Sequence, residues 1–271
     1  MVLPALSVPA DAQPPPRPEL LAVRGVSLRF GGLAVLSTVD LTVRAGEIHG
    51  LVGPNGAGKT SLFNCISGLY RPQAGSINLD GADLLRCPPH RLAGLGLART
   101  FQHPILDQHT SVLENVLTGT YTCQDSAAVG RVFHPRSALR EKDRRRQKAR
   151  ALLAYSGLID VEDQSPGTLP HAEQKRVELV RALLAEPKLL LLDEPAGGLV
   201  HSEVDELGEL IRRIRDDHGV TVLLVEHHMG LISSITDHVH VLAEGRNVTA
   251  GTAAEVQRHP AVIESYLGSA P

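Results

Sequence analysis

The sequence predicts an α/β fold with a mainly parallel core sheet, an N-terminal antiparallel β segment and an inserted helical subdomain. Three observations carry that expectation. KLLLLDEP (residues 188–195) and GVTVLLVEHH (219–228) are continuous apolar runs, the mark of strands buried on both faces of a parallel sheet. The stretch from residue 21 to 53 instead alternates valine and leucine with polar residues, as half-buried strands do. Residues 103 to 168 read as mostly helical.

In chain order, residues 1–19, MVLPALSVPADAQPPPRPE, have no basic leader and are broken by prolines. They read as a disordered tail before a single domain spanning 20–271. LAVRGVSLRF and VLSTVDLTVRAGEIHGLVG read as strands joined by tight turns at Gly31-Gly32 and Ala45-Gly46. After Gly58, KTSLFNCISGLY reads as a helix, and SINLDGADL returns to strand and turn. The helical insert, about 103–175, holds SVLENVLTG as a short helix and SALREKDRRRQKARALLAYSG as a longer one stopped by Gly157. HVHVLAEGRNVTAGT reads as a hairpin turning at Glu244-Gly245, before a last helix, AAEVQRHPAVIESYLG.

Bulk properties narrow the function classes. A chain of 271 residues can bury a core, and a formal net charge of -3 gives no global attraction to nucleic acid or anionic membranes. Cys65, Cys87 and Cys123 form neither a metal pattern nor a disulfide framework, which suits a reducing cytosol. No apolar run approaches the ~20 residues that span a bilayer, so action at a membrane requires another chain. The basic stretch 131–150 lacks interleaved stacking aromatics, and Glu141 and Arg145 have the spacing of a helical ion pair. It reads as a solvated helix face. His238 and His240 alternate on a strand and suggest a metal, but no third ligand of suitable spacing follows them.

GPNGAGKTS, comprising Gly53, Pro54, Asn55, Gly56, Ala57, Gly58, Lys59, Thr60 and Ser61, fits the G-x-x-x-x-G-K-[ST] pattern between a strand and a helix. Glycines let successive backbone N–H groups converge on an anion, and the helix N-terminus adds its positive dipole end. Lys59 then reaches the β/γ-phosphates and Thr60 can ligate Mg²⁺. The chemistry points to the phosphates of a bound nucleotide. About 130 residues later, Asp193 ends an apolar strand where a carboxylate can hold the magnesium shell. Glu194 beside it can act as base toward an attacking water. His227 ends another buried strand at the edge where open α/β sheets bind ligands, and can be structural or catalytic.

The phosphate loop, DEP after an apolar strand, the helical insert between them and the histidine beyond together resemble an ABC-type ATPase subunit. LARTFQHPILDQHTSVLENVLTG, LVEHHMGLI and HPAVIESYLG make it similar to the ATPase subunits of branched-chain amino-acid importers. The resemblance covers about residues 20 to 268. It implies a P-loop NTPase fold and roles for residues that spacing alone leaves open. Phe30 would stack on adenine, although it could equally be a core residue of its strand. Gln102 would sense the γ-phosphate and magnesium. Asp193 would be the magnesium-linked acid, Glu194 the base and His227 the γ-phosphate switch, while Gly198 and Leu199 would lie at a dimer interface.

The partners implied are integral-membrane permease subunits, a second ATPase subunit (a paralogue or another copy) in a head-to-tail dimer and, indirectly, an extracytoplasmic solute-binding protein. The place implied is the cytoplasmic face of the cell membrane, and no nucleic acid is involved. ATPases of urea import or lipid export share most of these motifs, and a regulatory module that binds ATP without hydrolysing it is a further alternative. The chain departs from the family at LPHAE, Leu169 to Glu173, where serine and glycine usually precede the signature helix. Pro170 has neither hydroxyl nor N–H, and Ala172 replaces glycine. The helix should still begin there and present its dipole. His228 stands where the family usually has aspartate, and the sequence assigns it no role.

Overall fold

A computed structural model describes residues 17–123 and 135–267. Most of the expected tail, residues 1–16, lies outside the described residues, but residues 17–19 belong to the folded body. Arg17 donates to the Gly46 carbonyl at 2.8 Å, the Ala45 N–H donates to the Pro18 carbonyl, and the first strand begins at Glu19. The tail reading of 1–19 is corrected by those three residues.

Two sheets form the frame. Strands β1 (Glu19–Phe30), β2 (Leu33–Arg44), β4 (Ala74–Leu79) and β5 (Ala82–Asp83) make an antiparallel sheet in the order β2-β1-β4-β5. Strands β3 (Ile48–Val52), β6 (Leu97–Arg99), β7 (Leu189–Asp193), β8 (Thr221–Val225), β9 (His238–Ala243) and β10 (Arg246–Gly251) make the second sheet. Its order is β10-β9-β3-β8-β7-β6, parallel except for the β9–β10 hairpin. That hairpin turns at Glu244 and Gly245, both at positive φ, as the sequence predicts.

The continuous apolar runs follow from two separate cores. Leu190, Leu192, Val222 and Leu224 face one, and Leu189, Leu191, Leu223 and Val225 face the other. The first core is closed by α2 (Val112–Leu117), α3 (Pro135–Tyr155), α4 (His171–Leu183), α5 (His201–His218) and α6 (Met229–Ile235). The second is closed by α1 (Lys59–Ile66) and the antiparallel sheet. Each strand therefore buries both faces, and burying one leucine contributes about 1.5–3 kcal/mol.

Two helices differ from the sequence reading. Helix α1 stops at Ile66 rather than running to Tyr70, because the chain turns at Ser67 and Gly68, and the Ser67 hydroxyl donates to the Phe63 carbonyl. The last helix is two, α7 (Ala253–Arg258) and α8 (Pro260–Leu267). Pro260 disfavours helical backbone at His259 and is itself suited to a first helical turn. Among the described residues, no helix is long and apolar enough to cross a membrane.

Candidate nucleotide site

The C-terminal ends of β3, β7 and β8 meet at one edge of the parallel sheet, so their outgoing loops lie side by side. The loop after β3, Gly53 to Gly58, runs into α1. Two of its glycines are required by packing. A Cβ on Gly53 would stand 2.0 Å from the Leu242 carbonyl oxygen, and one on Gly58, at φ 99°, would stand 2.7 Å from Leu36 Cδ2. Inside this loop Lys59 is buried, its Nζ donating to the carbonyls of Gly53 at 2.6 Å and Pro54 at 2.9 Å. Burial lowers the Lys59 pKa, and Glu194 and Asp193 oppose the shift by favouring the ammonium. A buried cation held by neutral carbonyls at the mouth of a glycine nest is fitted to an anionic ligand. Thr60 is exposed and Ser61 half-buried beside it.

Strand β7 delivers the acids. Asp193 is buried at the strand's end, and its Oδ2 accepts from Arg99 at 2.8 Å. The next residue, Glu194, adopts φ 47°, a left-handed backbone that costs a non-glycine residue about 1–3 kcal/mol. That turn projects its carboxylate between two loops. Gln102 Nε2 donates to Glu194 Oε2 at 2.7 Å, and His227 Nε2 donates to Glu194 Oε1 at 3.0 Å. The proton on His227 is therefore placed on Nε2 by its carboxylate partner. Gln102 uses its amide N–H on Glu194, which leaves its carbonyl oxygen free to accept or ligate. Thr60, Gln102 and Asp193 thus offer hydroxyl, amide and carboxylate oxygens, the donor class that suits Mg²⁺.

Phe30 stands apart from this trio, at the end of β1. It is 48% exposed and meets Tyr70 edge to face at 5.1 Å between centroids. The alternative of a core phenylalanine is thereby excluded. His228 caps α6: its Nδ1 accepts from the Leu231 N–H at 3.1 Å, so an imidazole does here what an aspartate cap does elsewhere. In the signature stretch, Pro170 precedes α4 without a side-chain cap, and Ala172 is buried within the helix's first turn.

Three residues that organise the site escaped the sequence reading. Arg99 bonds Asp193 and also donates to Asn64 and Ser67, tying β7 to α1. Glu226 is buried, and its carboxylate accepts from the N–H groups of Ala196 (2.7 Å), His227 (2.8 Å) and His228 (3.0 Å). It joins the loop after β7 to the loop after β8. Lys175 reaches from α4 to the carbonyls of Gln102 and Glu194. A cue existed for Glu226, a charged residue directly after four apolar strand positions. For Arg99 and Lys175 the sequence carries no comparable signal.

A glycine nest with a buried lysine, and a carboxylate at the neighbouring strand end held by amide and imidazole, define a phosphate-loop nucleoside triphosphatase. The comparisons carry this further. A family described as "ABC transporter" matches residues 36–197, and one described as "Branched-chain amino acid ATP-binding cassette transporter" matches residues 248–271. The chain is 38% identical over 251 residues to the high-affinity branched-chain amino acid transport ATP-binding protein BraF of Pseudomonas aeruginosa, covering 93% of this chain and 98% of that one. It is 37% identical over the same length and shares to the corresponding protein LivG of Escherichia coli K12. A nucleotide-free ATP-binding cassette from an ABC transporter matches its fold with a TM-score of 0.81 at 27% identity, over 93% of this chain and all of that one. The chain belongs to the ABC transporter family, as an ATP-hydrolysing, ATP-binding subunit.

Proposed function

We propose that this ATPase powers an importer for branched-chain or other hydrophobic amino acids, acting in a dimer bound to permease subunits at the cytoplasmic face of the membrane. The observation that carries the catalytic part is the clasp on Glu194, formed by Gln102 at 2.7 Å and His227 at 3.0 Å. The solute class rests on the match of residues 248–271 and on the names of the relatives.

In this reading the nest from Gly53 to Ser61 holds the phosphates through its backbone N–H groups, and Lys59 turns from the loop carbonyls to the β/γ-phosphates. Phe30 stacks on adenine. Thr60, Gln102 and Asp193 would hold Mg²⁺, whose chemistry when bound is to neutralise charge on the phosphate oxygens. Glu194 takes the proton of the attacking water at its carboxylate, Gln102 and His227 hold that carboxylate oriented until ATP binds, and His227 then turns its Nε2–H from Glu194 to the γ-phosphate. Arg99 and Glu226 hold Asp193 and the two loops in register. Closure of two such subunits and their reopening after hydrolysis supply the mechanical step.

The test is reconstitution with the permease in lipid vesicles. ATP turnover should rise when an extracytoplasmic binding protein loaded with leucine or valine is added, and Lys59→Ala should abolish it. Turnover stimulated by a urea-loaded binding protein and indifferent to leucine and valine would replace the amino-acid reading with amide import.

A further inference from the structure

The signature helix and the loop that carries Gln102 are joined by a buried ionic contact that the nucleotide site leaves unexplained. Helix α4 turns one stripe, Lys175, Glu178 and Arg181, toward the segment that follows β6, since residues three apart are neighbours on a helix surface. That segment, Phe101 to Ile105, has little else to hold it. Among the described residues, none of its backbone groups bonds another backbone group. Phe101 and Ile105 are 39% and 62% exposed, so packing fixes the segment weakly, chiefly where the Arg99 guanidinium lies 5.2 Å from the Phe101 ring centroid. Its backbone is held instead by the three side chains of α4. The Phe101 N–H donates to Glu178 Oε1 at 3.2 Å, Lys175 Nζ reaches the Gln102 carbonyl at 3.4 Å, and Arg181 Nη1 donates to the Ile105 carbonyl at 2.5 Å.

Glu178 is the member of this group whose placement asks for a reason. It is 3% exposed, and burial raises its pKa, while the N–H groups of Phe101 and Ile105 and the cations Arg181 and Lys175 pull the other way. A carboxylate sealed from water is strongly destabilising unless donors surround it. Its pair with Arg181, at 3.2 Å, does not itself need burial, because Glu209 and Arg212 make the same i,i+3 pair on α5 with Glu209 exposed. What burial adds is reach to the loop. Phe101 directly precedes Gln102, whose amide donates to Glu194 Oε2 at 2.7 Å, so an anchored Phe101 N–H fixes where the Gln102 side chain starts. The described hydrogen bonds of Glu178 run to Phe101 and Arg181, not to Glu194 or the phosphate loop, and any influence on catalysis passes through Gln102.

We propose that Glu178 is a positioning residue for ATP hydrolysis, its buried carboxylate tying the Gln102 loop to the signature helix and so keeping Gln102 in reach of Glu194. The inference rests on the reading of Glu194 as the base and Gln102 as its partner. Glu178 completes what Glu226 begins: Glu226 joins the loops after β7 and β8, and Glu178 holds the loop after β6. Hydrogen bonds to an ionised acceptor are roughly twice as strong as neutral ones. Glu178→Gln removes that charge and sets an amide N–H₂ among donors, so the hold on Phe101 weakens and Gln102 drifts from Glu194. The phosphate loop follows β3, two strands away from β6 in the sheet, and keeps its place. The loss therefore falls on the chemical step and not on nucleotide binding.

The experiment is a double-mutant cycle on the full chain, with ATP affinity and single-turnover hydrolysis measured for wild type, Glu178→Gln, Gln102→Ala and the double variant. Glu178→Gln should slow hydrolysis about tenfold with ATP affinity close to wild type. It should slow the Gln102→Ala chain no further, because the loop then presents no amide to Glu194. A role confined to packing would slow both backgrounds by the same factor. Glu206→Gln, which breaks the Arg176–Glu206 pair on an exposed face of the same helix, should change neither rate nor affinity. If Glu178→Gln yields no folded chain, the same cycle is run with Glu178→Asp, which keeps the charge and withdraws it from Phe101 by one methylene. The proposal is overturned if substitution of Glu178 leaves the wild-type rate intact, or if it slows the Gln102→Ala chain as much as the wild type. Glu194→Gln, measured alongside, keeps the two readings apart. Wild-type hydrolysis in that variant would remove the base and this proposal with it, whereas slow hydrolysis there beside an additive cycle would remove only the role of Glu178.

Discussion

At the residue scale, Glu194 and Phe30 show how much depends on backbone placement. Glu194 follows a strand of four leucines and is forced into a left-handed turn, so its side chain leaves the sheet where Gln102 and His227 can grip it. Phe30 is about half exposed, and its ring meets Tyr70 edge to face. Removal of the Phe30 ring should therefore affect binding more than folding. Phe30→Ala is expected to weaken ATP by roughly 1–3 kcal/mol, the worth of one base-stacking aromatic, with a melting temperature close to wild type. Calorimetric ATP titration beside thermal unfolding checks this, and a large stability loss with unchanged affinity would contradict it.

At the element scale, the site depends on loops that are locked to each other through buried polar groups. Glu226 is the clearest case, because one carboxylate accepts three N–H groups from the loops after β7 and β8. Glu226→Gln puts an amide donor against backbone donors, and each unmated buried group costs about 1–3 kcal/mol. Turnover should fall by roughly tenfold or more as the clasp on Glu194 loosens. ATP affinity, set by the phosphate loop on another strand, should hold, and equilibrium binding beside turnover separates the two. The strands, the phosphate loop, Asp193 and Glu194 were legible in the sequence because contiguous residues encode them. Arg99 and Lys175 were not, because their partners lie on other elements: Arg99 meets Asp193 across 94 positions. Local periodicity shows that a residue is polar in an apolar run, but topology decides what it meets. The break at His259-Pro260 is local instead, set by the proline's effect on the residue before it, which is extended.

At the scale of the whole molecule, the departures at Pro170 and Ala172 bear on assembly. The proposed dimer sets each chain's signature helix over the ATP of its partner. Here that helix begins with a proline cap that offers no side-chain donor and a buried alanine. A partner that supplies serine and glycine would leave this chain's own ATP site intact and weaken only the opposite one. Loss of a charge-assisted hydrogen bond costs about 1.5–3 kcal/mol, or one to two decades in rate. Restoring the pair, Pro170→Ser/Ala172→Gly, should speed turnover of the lone chain while having little effect on the mixed dimer, despite the roughly 1 kcal/mol that glycine costs a helix. Equal rates for lone and mixed forms, both indifferent to restoration, would mean that His171 or the helix dipole suffices.

The central claim is that Glu194, held by Gln102 and His227, activates the water that cleaves ATP. It is tested most directly by measuring ATP affinity and single-turnover hydrolysis together for wild type and Glu194→Gln. The account predicts equal affinity and hydrolysis slower by about 10²- to 10⁴-fold, the worth of a positioned general base. Hydrolysis at the wild-type rate would contradict it and leave Glu194 as a strand-end acid.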